Sequence, residues 1–126
     1  MVNEVMNAKV SSTNPKVGMC ATQFVGTDRW PYVVTEVLGK NKIRVEHMNS
    51  FHHTSEKEID ENGIEFLPKK MMGYYTTITE DGETMVPVGE IYTYRKNKRW
   101  MPAGKDMWGT ASIHLGKADE YRDPDF

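Results

Sequence analysis

The fold is indicated most strongly by residues 30–48, which read WPYVVTEVLGKNKIRVEHM. Residues 30–38 are rich in β-branched and aromatic side chains, and residues 43–48 alternate between apolar and polar positions. The tetrapeptide GKNK at residues 39–42 is a turn signal between the two runs. The stretch therefore predicts an antiparallel hairpin, with Pro31 at the start of its first strand because proline cannot donate a ladder hydrogen bond.

Strand patterns continue on both sides of this hairpin. Residues 16–25 alternate as a strand and end at a Gly-Thr-Asp-Arg loop, and a second hairpin is predicted from residues 90–95 and 99–101. Shorter strands are predicted at residues 64–67, 74–79 and 110–115, and residues 85–88 form a fragment interrupted by Pro87. The polar residues 49–63 predict a loop with one helical turn around residues 55–59, where Ser55 and Glu58 have the spacing of a capping box.

Sustained helical periodicity is absent, so the sequence predicts a mostly β fold. We expect a single small SH3-like β-barrel with extra β-hairpins and at most one short helix. The barrel domain is expected over residues 16–126, after a flexible N-terminal arm at residues 1–15 that is rich in Asn, Ser, Thr and Lys. A chain of 126 residues is long enough to bury the core of one such domain.

Composition limits the compartment and the partners. Sixteen basic and eighteen acidic residues give a formal charge of −2, so a polyanion would have to meet a local positive patch. The single cysteine, Cys20, excludes an intramolecular disulfide and favours a reducing cytoplasm. The sequence contains neither the apolar core of a signal peptide nor a run of about 20 apolar residues, so we expect neither secretion by that route nor a membrane partner.

Two resemblances add to this interpretation. Residues 16–50 resemble, in pattern, the opening of SH3-like small barrels of the Tudor and KOW kind, which bind peptides, modified side chains or nucleic acid. The motifs VGMCAT, TDR, YVV, YRKNKRW, LG and EYRDPDF, taken in order, are similar to a family of small bacteriophage and prophage proteins with the pattern VGMGAT, DR, RKNGRW and EYYD. Cys20 and Lys98 stand where that pattern has glycine, which predicts that neither position requires a positive φ. The resemblance implies a bacterial host cell and assigns no activity to any residue.

The first candidate site is the predicted tip of the second hairpin. It carries four cations within five positions, with aromatic residues on both sides, which suits a phosphate together with a stacked base. Its residues are Tyr94, Arg95, Lys96, Lys98, Arg99 and Trp100. The alternative is a solvated hairpin whose charges only protect a sheet edge from aggregation.

The second candidate site is the loop before the first hairpin. Asp28 and Arg29 can present a charged pair beside the rings of Trp30 and Tyr32. The alternative is an ion pair that fixes the loop, with both rings covering the core. Neither a metal site nor a catalytic residue is predicted, because the four histidines lack ligand spacing and no glycine-rich phosphate loop or nucleophile motif occurs.

These features favour a phage-encoded binding module without a cofactor that acts by occupancy. It would capture a small anionic, nucleotide-like host signal or block a host defence protein. In the first case Arg95, Lys96, Lys98 and Arg99 would meet phosphate, while Tyr94, Trp100 or Trp30 would stack on a base. The alternatives are a nucleic-acid-binding barrel in phage replication or transcription, a virion assembly component that forms a homo-oligomer, and a small hydrolase.

Overall fold

The structure is a computed structural model that describes residues 14–49, 52, 56–78, 82, 84–96, 98–103 and 112–118. In these ranges the chain forms ten strands, the short helix α1 (Lys69–Met72) and a 3-10 turn (Gly73–Tyr75). The strands are β1 (Cys20–Val25), β2 (Asp28–Gly39), β3 (Lys42–His47), β4 (Glu58–Ile59), β5 (Glu65–Phe66), β6 (Thr76–Ile78), β7 (Met85–Pro87), β8 (Glu90–Tyr94), β9 (Trp100–Pro102) and β10 (Ile113–Leu115).

Six of the strands close into a barrel. Their order around the barrel is β1, β10, β9, β8, β3, β2, and every neighbouring pair is antiparallel. Two extra hairpins, β4–β5 and β6–β7, lie outside it. The prediction of a mostly β barrel with extra hairpins and at most one short helix is confirmed.

The hairpin of β2 and β3 forms where residues 30–48 predict it. Val34 pairs with Val45 and Val37 with Ile43, and irregularities at Val34–Glu36 and Val37–Gly39 let the long strand β2 bend around the barrel. The buried hydroxyl of Thr35 donates a 2.6 Å hydrogen bond to the carbonyl oxygen of Val88, which ties the start of β8 to this hairpin.

The first half of β1 and the middle of β2 are buried on both faces. Their inward side chains, among them Ala21 and Val34, join the barrel core formed by Met19, Ala21, Val34, Ile43, Val45, Ile64, Tyr92, Trp100, Ile113 and Leu115. Their outward side chains Cys20 and Val33 join a second cluster under α1 and the 3-10 turn, with Met48, Leu67, Tyr75 and Ala118. Burial raises the pKa of the Cys20 thiol to about 12, so this cysteine is an unreactive core residue.

The structure corrects the prediction for the connection between the two hairpins. The predicted helical turn is wrong at Glu58 and Ile59, which are extended and pair with Phe66 and Glu65. The helix instead follows Pro68, whose carbonyl accepts a 2.8 Å hydrogen bond from the backbone of Met71. Met71 and Met72 then pack on the outer cluster, so tertiary contacts decide where this short helix forms.

Other predicted boundaries shift by a few residues. Tyr74 lies in the 3-10 turn rather than in a strand, and the last strand is described from Ile113 onward. Residues 1–13 of the predicted arm, Ser55, residues 79–81 and 104–111 and the terminal residues 119–126 lie outside the described residues.

Gly89 permits the close approach of β8 to β3. Its φ is +123°, and a Cβ atom at this position would overlap the carbonyl oxygen of Val45. We expect Gly89→Ala to lower the free energy of unfolding in urea by about 3 kcal/mol or more, because both backbone strain and a clash with backbone atoms must be relieved.

Gly26→Ala is the matched control for this substitution. Gly26 also has a positive φ, +60°, but nothing lies within 4 Å of the added Cβ, so the cost is about 1–2 kcal/mol from strain alone. Equal losses in the two variants would contradict the assigned packing at Gly89.

Candidate functional site

The aromatic residues of the second hairpin face the barrel interior. Tyr94 and Trp100 are paired across β8 and β9, with ring centroids 5.2 Å apart. Trp100 is only 3% exposed and belongs to the barrel core. Its ring is therefore covered by protein, and a base bound at the surface would have to stack on another ring.

The four cationic side chains of this hairpin lie in different environments. The guanidinium of Arg95 donates a 2.8 Å hydrogen bond to the carbonyl of Pro102, and its Nε donates a 3.3 Å bond to Thr93, so Arg95 braces the hairpin. Lys96 and Lys98 are exposed at the turn. Arg99 is also exposed, and it is close enough to His114 of β10 to lower the pKa of that imidazole.

Lys98 adopts the left-handed backbone conformation. Its φ is +63°, and its N–H donates a 2.8 Å hydrogen bond to Arg95 while Arg95 donates to Arg99. The prediction that position 98 does not require a positive φ is wrong. Cys20, in contrast, lies in strand β1 and is not among the residues with positive φ.

Lys98→Gly is expected to stabilise the protein by about 1 kcal/mol, because glycine adopts this φ without the steric cost that a Cβ incurs. Lys98→Ala is the control, since it removes the same charge but retains the Cβ. Urea denaturation of both variants measures the difference. A gain in the alanine variant as large as that in the glycine variant would assign the effect to the charge and contradict the backbone explanation.

Alternation along β2 separates the residues of the second candidate site. Trp30 pairs with Gln23, and Tyr32 pairs with Ala21 and packs on the barrel core, so these two rings lie on the inward side. Arg29 lies between inward positions and faces outward, where its guanidinium carbon is 5.8 Å from the ring centroid of Phe24.

A group of residues on β2, β1 and β10 and just before β9 brings one residue of each predicted site together. We call it the cationic strip and define it as Arg29, Phe24, His114 and Arg99. Phe24 and His114 meet edge to face, with centroids 4.9 Å apart and an interplanar angle of 86°. Trp100 pairs with Ile113, and Arg99, which precedes Trp100, is close enough to His114 to act on its imidazole electrostatically.

A shallow pocket of about 140 Å³ adjoins the strip at Phe24 and His114, and it is also lined by Thr22, Leu115 and Lys117. The Thr22 hydroxyl donates a 2.6 Å hydrogen bond to the carbonyl of Lys117 and so fixes the exit of β10 beside the pocket. Phe24 is 41% exposed, and Arg29, Arg99 and Lys117 are exposed, so rings and cations reach the same surface.

The electrostatics of the strip are positive. Partial burial of the His114 ring, together with the charge of Arg99, lowers the pKa of this imidazole below its usual value. A neutral imidazole can accept or donate a hydrogen bond, and the neighbouring guanidinium groups can bind an oxyanion. The strip thus combines exposed aromatic edges with fixed positive charge.

Sequence reasoning missed the central members of the strip. Phe24 and His114 are 90 positions apart, and only the pairing of β1 with β10 brings them into contact. Arg29 and Arg99 were predicted in separate sites. The structure places Trp30 and Tyr32 on the inward side, Asp28 at the beginning of β2, and Arg95 and Trp100 in the hairpin and the core.

A larger pocket of about 660 Å³ lies between β4 and α1. Its charged walls mix two glutamates with three lysines: Glu56, Glu58, Lys57, Lys69 and Lys70. Because charges of both signs line it, this pocket shows little preference for an anion or a cation. We therefore give the cationic strip more weight despite its smaller volume.

Within the part of the chain that the structure describes, no cluster of three His, Cys, Asp or Glu side chains is arranged to hold a metal ion. No helix among the described residues is long and apolar enough to cross a membrane. Comparisons with protein-family models, curated proteins and solved structures found no match to this chain.

Proposed function

We propose that this protein is a small phage-encoded binding module that acts by occupancy and captures an anionic, nucleotide-like host signal at the cationic strip. The observation that carries the proposal is the placement of Arg29 and Arg99 on the same outer surface as the edge-to-face pair of Phe24 and His114. Occupancy requires only affinity, so neither a cofactor nor a catalytic residue has a role in this function.

The chemistry of the strip matches the two parts of a nucleotide. Guanidinium groups bind phosphate oxygens through pairs of N–H donors, and aromatic rings provide a surface on which a base can stack. The whole chain is slightly acidic, so the attraction for an anion is confined to this local surface. The sequence resemblance to small phage proteins supports the phage origin and a role in the bacterial cytoplasm.

Two other functions use the same residues. A host protein with an acidic surface, such as a defence protein, would also meet Arg29 and Arg99, and so would single-stranded nucleic acid. Nucleic acid binding would weaken steeply with salt in proportion to the number of phosphates contacted. Native mass spectrometry of protein purified gently from cells would report both a retained small molecule and any homo-oligomer.

The double substitution Arg29→Ala, Arg99→Ala is the main test of the strip. Calorimetric titration with ATP and with cyclic di-AMP should show the affinity of the bound nucleotide falling about tenfold or more, because two charge-assisted contacts are lost. Lys69→Ala, which removes an exposed cation from α1, should leave the affinity unchanged. Equal affinity in the double variant, with its fold intact, would reject the strip as the binding site.

Binding of a phosphodiester should strengthen as the pH falls. In the free protein the lowered pKa keeps His114 neutral near pH 7, and the positive groups around it are Arg99 just before β9, Arg29 on β2 and Lys117 after β10. A bound anion favours the imidazolium form, so binding takes up a proton and affinity rises toward lower pH.

Cyclic di-AMP suits this measurement because its diester phosphates do not titrate between pH 5.5 and pH 7.5. Its affinity should increase by about threefold or more over that range, and His114→Asn should remove the increase. A pH dependence that persists in the asparagine variant would assign the proton uptake to another group.

A further inference from the structure

The inward side of one end of the barrel carries a second group of rings, which is independent of the cationic strip. We call it the barrel rim and define it as Trp30, Tyr32, His47, Gln23 and Glu90. Tyr32 pairs with His47 across β2 and β3, and Trp30 pairs with Gln23 across β2 and β1. Glu90, at the start of β8, pairs with the core residue Val45 and so lies on the same side.

Three rings of the rim are in contact. His47 lies between the other two, with its centroid 5.7 Å from that of Trp30 and 5.3 Å from that of Tyr32. The Tyr32 contact is edge to face at 84°. Trp30 and Tyr32 are half-buried and His47 is exposed, so the π-electron density of these rings can attract a positive charge at the surface.

A hydrogen-bonded chain holds Tyr32 in place. Its hydroxyl donates a 3.2 Å bond to Oε1 of Gln23, and Nε2 of Gln23 donates a 2.9 Å bond to the hydroxyl of Tyr92 in the core. The position of this ring is therefore fixed before any ligand arrives. A preformed arrangement reduces the ordering cost of binding.

The charged residue on the inward side of the rim, Glu90, is acidic. Burial raises the pKa of Tyr32, and the charges of Glu90 and Glu46 raise it further, which places both carboxylates within electrostatic reach of the ring. Among the described residues at this end of the barrel, the inward positions next to Tyr32 include no lysine or arginine. An anion would be repelled here, whereas a cation would be attracted by both the rings and the carboxylates.

From these contacts we infer that the barrel rim binds an organic cation, an ammonium or guanidinium group that lies against Trp30, Tyr32 and His47 with Glu90 as its counter-charge. Two sources share this chemistry: a free small amine and a basic side chain of a partner protein. Two adjacent residues of β2 then belong to sites for ligands of opposite charge: Arg29 to the strip, which binds an anion, and Trp30 to the rim, which binds a cation.

The test uses a pair of probes with the same shape and different charge. Choline carries a quaternary ammonium, and 3,3-dimethylbutan-1-ol replaces its nitrogen by carbon. Choline should produce saturable shifts of the Trp30 indole resonance in NMR spectra of the full chain, with the resonance assigned through Trp30→Phe. The neutral alcohol should produce none, and equal shifts from both probes would overturn the inference.

Substitutions locate the site. Glu90→Gln should raise the dissociation constant of choline at least threefold, because the counter-charge is lost while the shape of the side chain is kept. Glu58→Gln is the matched control, since it neutralises another exposed carboxylate on β4. Trp30→Phe should also weaken binding, which is followed in this variant through the ring resonances of Tyr32 and His47, and its dispersed spectrum verifies the fold. An unchanged constant in both Glu90→Gln and Trp30→Phe would reject the rim.

A second titration identifies the source of the cation. The blocked peptide acetyl-Gly-Lys-Gly-amide presents the same charge on a protein-like side chain. Saturable shifts at Trp30 with either choline or the peptide support the site, and the tighter of the two indicates a free amine or a partner protein. The absence of shifts with both probes at millimolar concentration would overturn the inference.

Discussion

The pairing of β1 with β10 is the constraint on which the rest of the structure depends. Ala21, Thr22 and Gln23 pair with Leu115, His114 and Ile113, and the backbone of Gly116 donates a 2.7 Å hydrogen bond to Cys20. These pairs join residues at least 90 positions apart, so the loop-closure entropy that they cost must be offset by burial. The closure gives a barrel without free edges and buries the first half of β1 on both faces.

Both proposed sites depend on this closure. The cationic strip crosses the closing strands, since Phe24 is on β1 and His114 is on β10. At the rim, Gln23 of β1 links Tyr32 on β2 to Tyr92 on β8 across the barrel interior. A chain with the same local hairpins but an open sheet would separate Phe24 from His114. Binding at the strip therefore requires the closed barrel.

Local patterns predicted most strands, because alternation and turn residues act over a few positions. Residues 30–48 formed their hairpin as expected, and residues 90–101 formed the second one. Contacts that depend on distant pairing were not predictable in this way: α1 follows Pro68 because an outer cluster exists for Met71 and Met72 to cover. Local sequence also failed to predict the backbone at position 98. The tight turn requires a positive φ there, and a lysine does not indicate one. For the candidate sites, composition indicated cations and rings but not which of them share a surface.

The period of two in a β-strand explains how a nearly neutral chain can present two surfaces of opposite character. Arg29 and Trp30 are neighbours in sequence, yet one faces outward beside Phe24 and the other inward beside His47. Asp28, Arg29, Trp30 and Tyr32 lie within five consecutive positions, so the sequence alone assigns them to one candidate site. In the structure, Arg29 and Trp30 belong to two different surfaces. The register of β2 against β1 and β3 separates them, because a slip of one residue would exchange the two faces. The inward packing of Tyr32 on the barrel core holds that register and thereby keeps the cation of Arg29 away from the aromatic rim.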